Sequence, residues 1–317
     1  MKDFSKNCVT VTPFLSSARL APYKISFDVT NDHELLGAYA WSQQVAGALY
    51  PLFHFLEIFL RNAIDQEATK RFGQFWWDTI SYDNSNYACT KFLDNIQKAK
   101  DKLENNWKKS EVSRLGLRSV RHITTTCPAF SHNEIIAATE FSTWTFILSK
   151  GFLTTSRANR EDYLWPKSLG KVFKQYGLIN SNQTQALYDI QNLINEIRDY
   201  RNRVFHHEPI WMKGTTHGLN SVRSIQTIRQ KINKIEDLIK IIGNDVNQCL
   251  QDANIFKNVR RVCSINELEV YQGKTKNISF SQKQKRLLRK KLSFSKKHDE
   301  TVIIEYDQSV FGLIHMV

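Results

Sequence analysis

Three residues near the end of one predicted helix have the types required for phosphodiester chemistry. Arg201, Asn202 and His206 lie in the segment IRDYRNRVFHHEPIW, residues 197–211. A histidine that titrates near neutral pH can take a proton from a ribose 2′-OH or give one to the leaving 5′-oxygen. An arginine can hold the phosphate with its planar fork of donors and stabilise the developing charge, while the Asn orients the pair. This route needs no metal, and it requires RNA because DNA lacks the 2′-OH.

Arg201 is predicted to lie on the apolar side of its helix, which runs from about Asn182 to His206. At roughly 100° per residue it falls inside the stripe that the apolar side chains form. The stripe comprises Leu187, Ile190, Leu193, Ile194, Ile197 and Val204. Because an unpaired buried charge is strongly destabilising, Arg201 needs a carboxylate, a protein interface or an anionic ligand.

Asn202 and His206 share another face of the same helix. His206 lies roughly 140° around the helix axis from Arg201, so one straight helix does not aim both side chains at one phosphate. The two can meet one substrate if the helix end frays before Pro209. They can also meet if a second copy of the helix supplies the facing half of the site.

The segment RNRVFHHEP resembles the R-N-x-x-x-H signature of HEPN-domain ribonucleases. With its His-Glu-Pro, it is similar to the Abi-like family of bacterial abortive-infection proteins, the AbiD/AbiF group. The segments YPLFHFLEIFLRNAID, residues 50–65, and FSTWTFILS, residues 141–149, resemble two further signatures of that family. The resemblance covers roughly residues 32–250.

This resemblance implies a helical HEPN fold, a homodimer whose two motifs face each other, and RNA cleavage or RNA binding in phage defence. It assigns Arg201, Asn202 and His206 to the motif, and it places Glu57 at the acidic position of the first core helix. The supporting candidates are Glu57, Arg61, Arg198 and His207. An antitoxin RNA or protein that silences the activity is a further candidate partner.

The same residues also have alternative interpretations. Arg201 can pair with Glu57 as a structural contact, and His206 can cap the helix end. Glu57 and Arg61 are four residues apart, which predicts a local salt bridge. The alternative function is a non-catalytic HEPN protein that holds, or is regulated by, a dedicated RNA, and a third hypothesis is a purely structural helical dimer.

The last part of the chain is rich in Lys and Arg and is predicted to bind RNA. The candidate residues are Lys283, Lys285, Arg286, Arg289, Lys290 and Lys291. Lys and Arg contact phosphates while interleaved aromatic residues stack on bases, although a solvated surface explains the same pattern. The strand-like runs VIIEY and FGLIHMV predict either an appended module of strands and helix or a partly ordered arm.

The composition favours an all-α protein with a polyanionic partner. The chain has 317 residues, a net charge of +13, and only 12 Gly and 6 Pro, so the residues that most often break helices are scarce. Nucleic acid is the first candidate partner and a membrane surface the second. We expect a leader over residues 1–30, a HEPN-like helical bundle over 31–252 and a basic extension over 253–317.

Several patterns exclude other classes of protein. The five cysteines form no CxxC pair, the first residues lack the apolar core of a signal peptide, and Leu49–Leu60 is too short to span a bilayer. We therefore expect a cytoplasmic protein without a membrane partner. Neither HExxH nor a phosphate-binding glycine loop occurs, so we expect neither a metal nor a cofactor.

Apolar periodicity and cap residues predict the helices that carry these motifs. The predicted helices cover about residues 34–47, 50–71, 92–112, 131–150, a short turn after 166, 182–206 and 220–250. Residues 81–90 and 113–131 are predicted as loops.

Overall fold

The computed structural model of the chain describes residues 11–212 and 220–274, isolated positions between 282 and 297, and residues 302–306 and 309–313. Its α-helices are α1 (Ser17–Ser26), α2 (Asp32–Phe72), α3 (Tyr87–Leu115), α4 (His132–Ala138), α5 (Phe141–Phe146), α6 (Leu169–Val172), α7 (Gln183–Phe205), α8 (Ser221–Ile242), α9 (Asn244–Asp252), α10 (Ile255–Val262) and α11 (Ile265–Tyr271). Short 3-10 helices cover Thr12–Phe14, Trp76–Asp78, Val120–His122, Lys150–Phe152 and Tyr176–Leu178. The body of the chain is all-α, as predicted.

Two strands follow the helical body near the end of the chain. Strands β1 (Val302–Tyr306) and β2 (Ser309–Leu313) pair antiparallel, with Val302 opposite Leu313. The strand prediction for VIIEY is therefore confirmed, and the second strand begins before the run FGLIHMV.

Helix α2 is the central element, and it joins two segments that were predicted as separate helices. The Asn31 side chain accepts the Glu34 N–H at 2.9 Å, and Gly73 ends the helix with a φ of 86°. Pro51 lies inside this 41-residue helix. It removes one backbone hydrogen bond and costs about 3 kcal/mol in a helix interior. Leu49 and Leu52 on either side are fully buried in the core, so tertiary packing outweighs that cost.

Two other predicted helices are interrupted in the structure. The helix predicted over residues 131–150 ends at Ala138, where the Thr139 hydroxyl donates to the Ile136 carbonyl and accepts from the Trp144 indole. Such side-chain bonds compete with helical backbone bonds, so the backbone becomes extended before α5 begins. The helix predicted over 220–250 breaks at Gly243, which adopts an extended conformation between α8 and α9.

The first thirty residues contain a helix where an irregular leader was predicted. The Ser16 side chain caps α1, and Pro22 lies within this helix rather than ending it. Leu20, Tyr23 and Phe27 are buried. Their spacing places one apolar side of α1 against the core, and this burial stabilises a helix that its proline disfavours.

Helices α10 and α11 pack tightly against α2. The Trp41 indole donates to the Val262 carbonyl at 2.9 Å, and the Gln272 side chain donates to the Phe27 carbonyl at 3.0 Å. A Cβ added to Gly37 would overlap the Tyr271 carbonyl oxygen, so glycine permits this close approach. The proposed division at residue 252 remains a prediction, but residues 255–272 contribute to the same core as α2.

The helix predicted over 182–206 and the short turn predicted after 166 agree with the structure to within a few residues. The Asn182 side chain caps α7 by accepting the Gln185 N–H at 3.0 Å. Helix α3 is longer than predicted at both ends: it begins at Tyr87, where the Asn86 side chain caps it, so the loop predicted over residues 81–90 is shorter than expected. Within the described part of the chain, no helix combines the length and the apolar character that crossing a membrane requires.

Candidate active site

The segments 50–65 and 197–211, which carry the candidate residues, meet where the end of α7 lies beside the middle of α2. The Phe53 ring of α2 contacts the rings of Tyr200 and Phe205, with centroids 6.0 and 6.4 Å apart. On the other side of α7, Glu196 accepts hydrogen bonds from Lys231 and Lys234 of α8. Burial opposes ionisation of Glu196, but these two bonds lower its pKa to about 2. Helix α7 is thus fixed between α2 and α8.

Arg201 is half-buried and has two neighbours. Its Nη2 atom lies 3.5 Å from Glu57 Oε2, and its guanidinium lies 4.7 Å from the centroid of the Phe205 ring. The Arg201 side chain is 32% exposed and that of Glu57 is 25% exposed. Ion pairs that reach solvent contribute only about 0–1 kcal/mol. Of the three partners considered for Arg201, the structure places a carboxylate beside it.

The salt bridge predicted between Glu57 and Arg61 is wrong. The Glu57 carboxylate faces Arg201, whereas Arg61 Nε donates to the Asn62 side chain at 3.2 Å. The reason is geometric: Arg201 approaches Glu57 from the neighbouring helix, which the spacing along α2 does not reveal.

An open cavity lies directly beside Arg201. Its volume is about 360 Å³, within the range of small-ligand sites. The lining residues are Tyr50, Phe53, His54, Glu57, Ile58, Arg61, Arg201 and Phe205. Sequence reasoning identified Glu57, Arg61 and Arg201, but it did not identify the aromatic residues or His54. The nearly continuous apolar run of α2 indicated core positions for that helix, whereas Phe205 lies on α7, and only the contact between the two helices places these side chains at one cavity.

His206 lies in a different setting, at the exposed end of α7. The His206 backbone N–H donates to the Asn202 carbonyl at 2.9 Å, which continues the helical pattern. The fraying of the helix end that would bring His206 towards Arg201 is therefore not seen at this residue. Two further backbone hydrogen bonds end the helix: the His207 N–H donates to the Val204 carbonyl, and the Glu208 N–H donates to the Arg203 carbonyl. This pattern is a Schellman motif, and His207 adopts the left-handed conformation, with a φ of 57°, that usually belongs to glycine.

The turn after His206 is anchored to α1. Arg19 Nη1 donates to the His207 carbonyl at 3.0 Å, and the Trp211 indole donates to Ser26 Oγ at 2.8 Å in the core. Arg203 donates to the Met212 carbonyl from the other side. Sequence reasoning missed Arg19 because Pro22 suggested an irregular leader. The cap at Ser16 and the apolar spacing that follows it were the signals that could have found this helix.

The remaining candidate residues from the sequence lie in three places: beside His206, against α5, and in the basic tail. Asn202 and His207 are exposed near His206. Arg198 turns away from the cavity, and its Nη1 donates to Thr145 of α5 at 3.2 Å. In the basic tail, the described candidates are helical and exposed, namely Arg286, Arg289 and Lys290. The other three candidates lie outside the described residues, namely Lys283, Lys285 and Lys291.

The Tyr200 phenol is a further ionisable group next to the motif residues. The Tyr200 hydroxyl is buried, and burial raises its pKa, so this phenol stays neutral beside Arg201.

Among the residues that the structure describes, no group of three or more His, Cys, Asp or Glu side chains is arranged to hold a metal ion.

Comparison with known proteins identifies a family but no individual relative. No curated protein and no solved structure matches the chain significantly. A family described as Abi-like protein matches residues 12–212, which is more than half of the chain. The matched range begins just before α1 and ends one residue after Trp211, so it includes both the motif and the helix that anchors its turn. The chain therefore belongs to the Abi-like protein family.

Proposed function

We propose that this protein is a metal-independent endoribonuclease of a bacterial abortive-infection system, with a HEPN-type site centred on Arg201 and His206. The observation that supports this most is the end of α7. It presents a weakly paired arginine at an open cavity and, one turn later, an exposed histidine on a fixed backbone. Family membership and the motif RNxxxH support the same function.

The reaction follows from the chemistry of these two side chains. His206 takes the proton of a ribose 2′-OH, and the 2′-oxygen attacks the adjacent phosphorus. The bond to the 5′-oxygen breaks, and the protonated His206 returns its proton to that oxygen, directly or by way of water, which regenerates the neutral imidazole. Arg201 holds the non-bridging phosphate oxygens and stabilises their charge. The products carry a 2′,3′-cyclic phosphate and a 5′-hydroxyl.

The proposed site is shared by two copies of the chain. His206 does not line the cavity beside Arg201, so a second copy related by a two-fold axis supplies the missing partner. The side of α2 next to the cavity supports such an interface, because Phe55, Ile58 and Phe59 are only half-buried there. Phe55 and Phe59 stack with centroids 5.6 Å apart, and this solvent-facing apolar surface is suited to burial in a dimer.

The alternative is a protein that holds a dedicated RNA without cutting it, with the tail residues Arg286, Arg289 and Lys290 adding affinity. The test is to isolate the protein with its bound RNA and compare the wild type with His206→Ala. The proposal expects cyclic-phosphate ends only with the wild type, and equal RNA binding by both. Intact RNA on a folded wild type under every condition of activation would favour the alternative.

The shared site has its own test. Arg201→Ala and His206→Ala chains are each expected to be inactive, and mixing them through refolding is expected to restore part of the cleavage. A verified monomer with full activity would refute the shared site.

A further inference from the structure

The cavity beside Arg201 exposes aromatic surface that the cleavage step does not use. Tyr50 is 54% exposed and Phe205 is 40% exposed, with ring centroids 5.6 Å apart. The His54 ring stacks on Tyr50, with an interplanar angle of 12° and centroids 6.3 Å apart. Large exposed aromatic side chains beside an arginine are the features that hold unstacked bases of single-stranded nucleic acids.

The Glu57 carboxylate gives this aromatic cavity a specific polar group. Its Oε2 atom faces Arg201, and among the described residues its Oε1 atom accepts no hydrogen bond. Arg61, which also lines the cavity, is turned toward Asn62 and leaves that oxygen unoccupied. A half-buried carboxylate with an unused acceptor is suited to a ligand that presents adjacent N–H donors.

We propose that this cavity binds one unstacked RNA base next to the cleaved phosphate and that Glu57 selects guanine. The inference rests on the proposed function, because it assumes that Arg201 holds the phosphate of the same RNA. Guanine carries two neighbouring donors, N1–H and the N2 amino group, on its Watson–Crick edge, and one carboxylate accepts both. Adenine and cytosine present a ring acceptor at the corresponding place, and a carboxylate repels it.

The size and charge of the cavity agree with one nucleotide. Its volume of about 360 Å³ lies within the range of small-ligand sites. The two arginines that line it, Arg201 and Arg61, outnumber its single carboxylate, so a phosphate is attracted while the base edge meets Glu57. The base stacks on Tyr50 or Phe205, whose ring faces it shields from water.

The test measures binding without cleavage. Fluorescent 2′-fluoro RNA heptamers lack the nucleophilic 2′-OH, and a uridine heptamer with one central guanine, adenine or cytosine varies only the base. Anisotropy titrations of the wild type are expected to show at least about five-fold tighter binding of the guanine heptamer, the lower end for a bidentate contact. Glu57→Gln is expected to abolish the guanine preference, because the amide offers one donor and one acceptor, which match the ring nitrogen and the amino group of adenine and of cytosine.

Two tyrosines of similar exposure give a matched pair of variants. Tyr50→Ala is expected to weaken binding of all three heptamers by roughly five-fold or more, as the loss of one stacking contact does. Tyr188→Ala is the control, since Tyr188 is 58% exposed on α7 but does not line the cavity. Circular dichroism establishes that every variant is folded.

The outcomes separate this inference from the proposed cleavage. Equal affinity for all heptamers, no binding of any heptamer, or a guanine preference that persists in folded Glu57→Gln would overturn the inference, even if the protein cuts RNA. A guanine preference that depends on Glu57 supports it. If unmodified RNA stays intact at the same time, only the cleavage proposal fails.

Discussion

Arg201 and His206 lie five residues apart on the chain, yet the structure holds them in opposite ways. Arg201 is positioned by side chains, with Glu57 on one side and the Phe205 ring on the other. His206 is positioned by its backbone, in a closed turn whose next carbonyl accepts a hydrogen bond from Arg19. The first arrangement leaves a charge next to a cavity, and the second fixes an exposed imidazole without burying it.

This difference teaches where each kind of substitution should act. Changing a side chain at the Arg201 cavity alters how an anion is held. Changing His206 removes a proton carrier but almost no packing, because this side chain is exposed.

The largest effect is expected for His206→Ala. Loss of a general acid or base lowers rates by about 10²–10⁴-fold. An exposed residue without packing contacts changes the free energy of unfolding by only about 0.5 kcal/mol or less. Single-turnover RNA cleavage and urea unfolding measure the two quantities. Full cleavage by a folded variant would contradict the catalytic role of this histidine.

Arg201→Lys is expected to have the next largest effect. Lysine keeps the positive charge but lacks the planar fork, and removing one donor that stabilises the reacting oxygens costs about 10²–10³-fold in kcat. The matched control is Arg198→Lys, one turn earlier, because Arg198 faces Thr145 instead of the cavity. Equal losses from both variants would show that the cavity has no special role.

Arg19→Met is expected to lower kcat through the position of His206 and to leave RNA binding at Arg201 unchanged. Methionine retains much of the aliphatic stem but removes the hydrogen bond to the His207 carbonyl. Such a bond at an exposed position contributes about 1 kcal/mol, so kcat is expected to fall roughly five-fold. RNA affinity should not change, since Arg201 is untouched. A drop in affinity without a drop in kcat would place Arg19 in RNA binding instead.

His207→Gly is expected to have the smallest effect, and in the stabilising direction. The left-handed conformation costs a non-glycine residue about 1–2 kcal/mol, and glycine adopts it without that strain. The variant loses part of this gain because glycine is more flexible in the unfolded chain. The free energy of unfolding should rise by about 0.5–1 kcal/mol with cleavage retained. A destabilised variant would mean that the imidazole itself supports the turn.

Local patterns predicted most helices and the motif, because they depend on neighbours along the chain. Asn31 and Asn182 cap their helices as their side-chain chemistry predicts. The errors arose where distant contacts decide. Core packing carries α2 through Pro51, and the contacts of α1 with Trp211 stabilise a helix in the predicted leader.

The site shows the same division. The Arg201 angle on α7 indicated the need for a partner, and Glu57 is that partner. The aromatic lining of the cavity and the hydrogen bond from Arg19 depend on how separate helices pack, and no spacing within one segment encodes them.

The most direct test of the central claim changes one atom of the substrate. An RNA that the protein cuts is resynthesised with 2′-deoxyribose on the 5′ side of one cut, and its fragments are sequenced with their end groups identified. Attack by the 2′-oxygen predicts that cutting disappears at that position only, that every other cut leaves a 2′,3′-cyclic phosphate, and that EDTA changes neither result. Cutting that continues at the deoxy position, or ends that carry a 3′-hydroxyl and a 5′-phosphate, would contradict the proposed chemistry of His206 and Arg201.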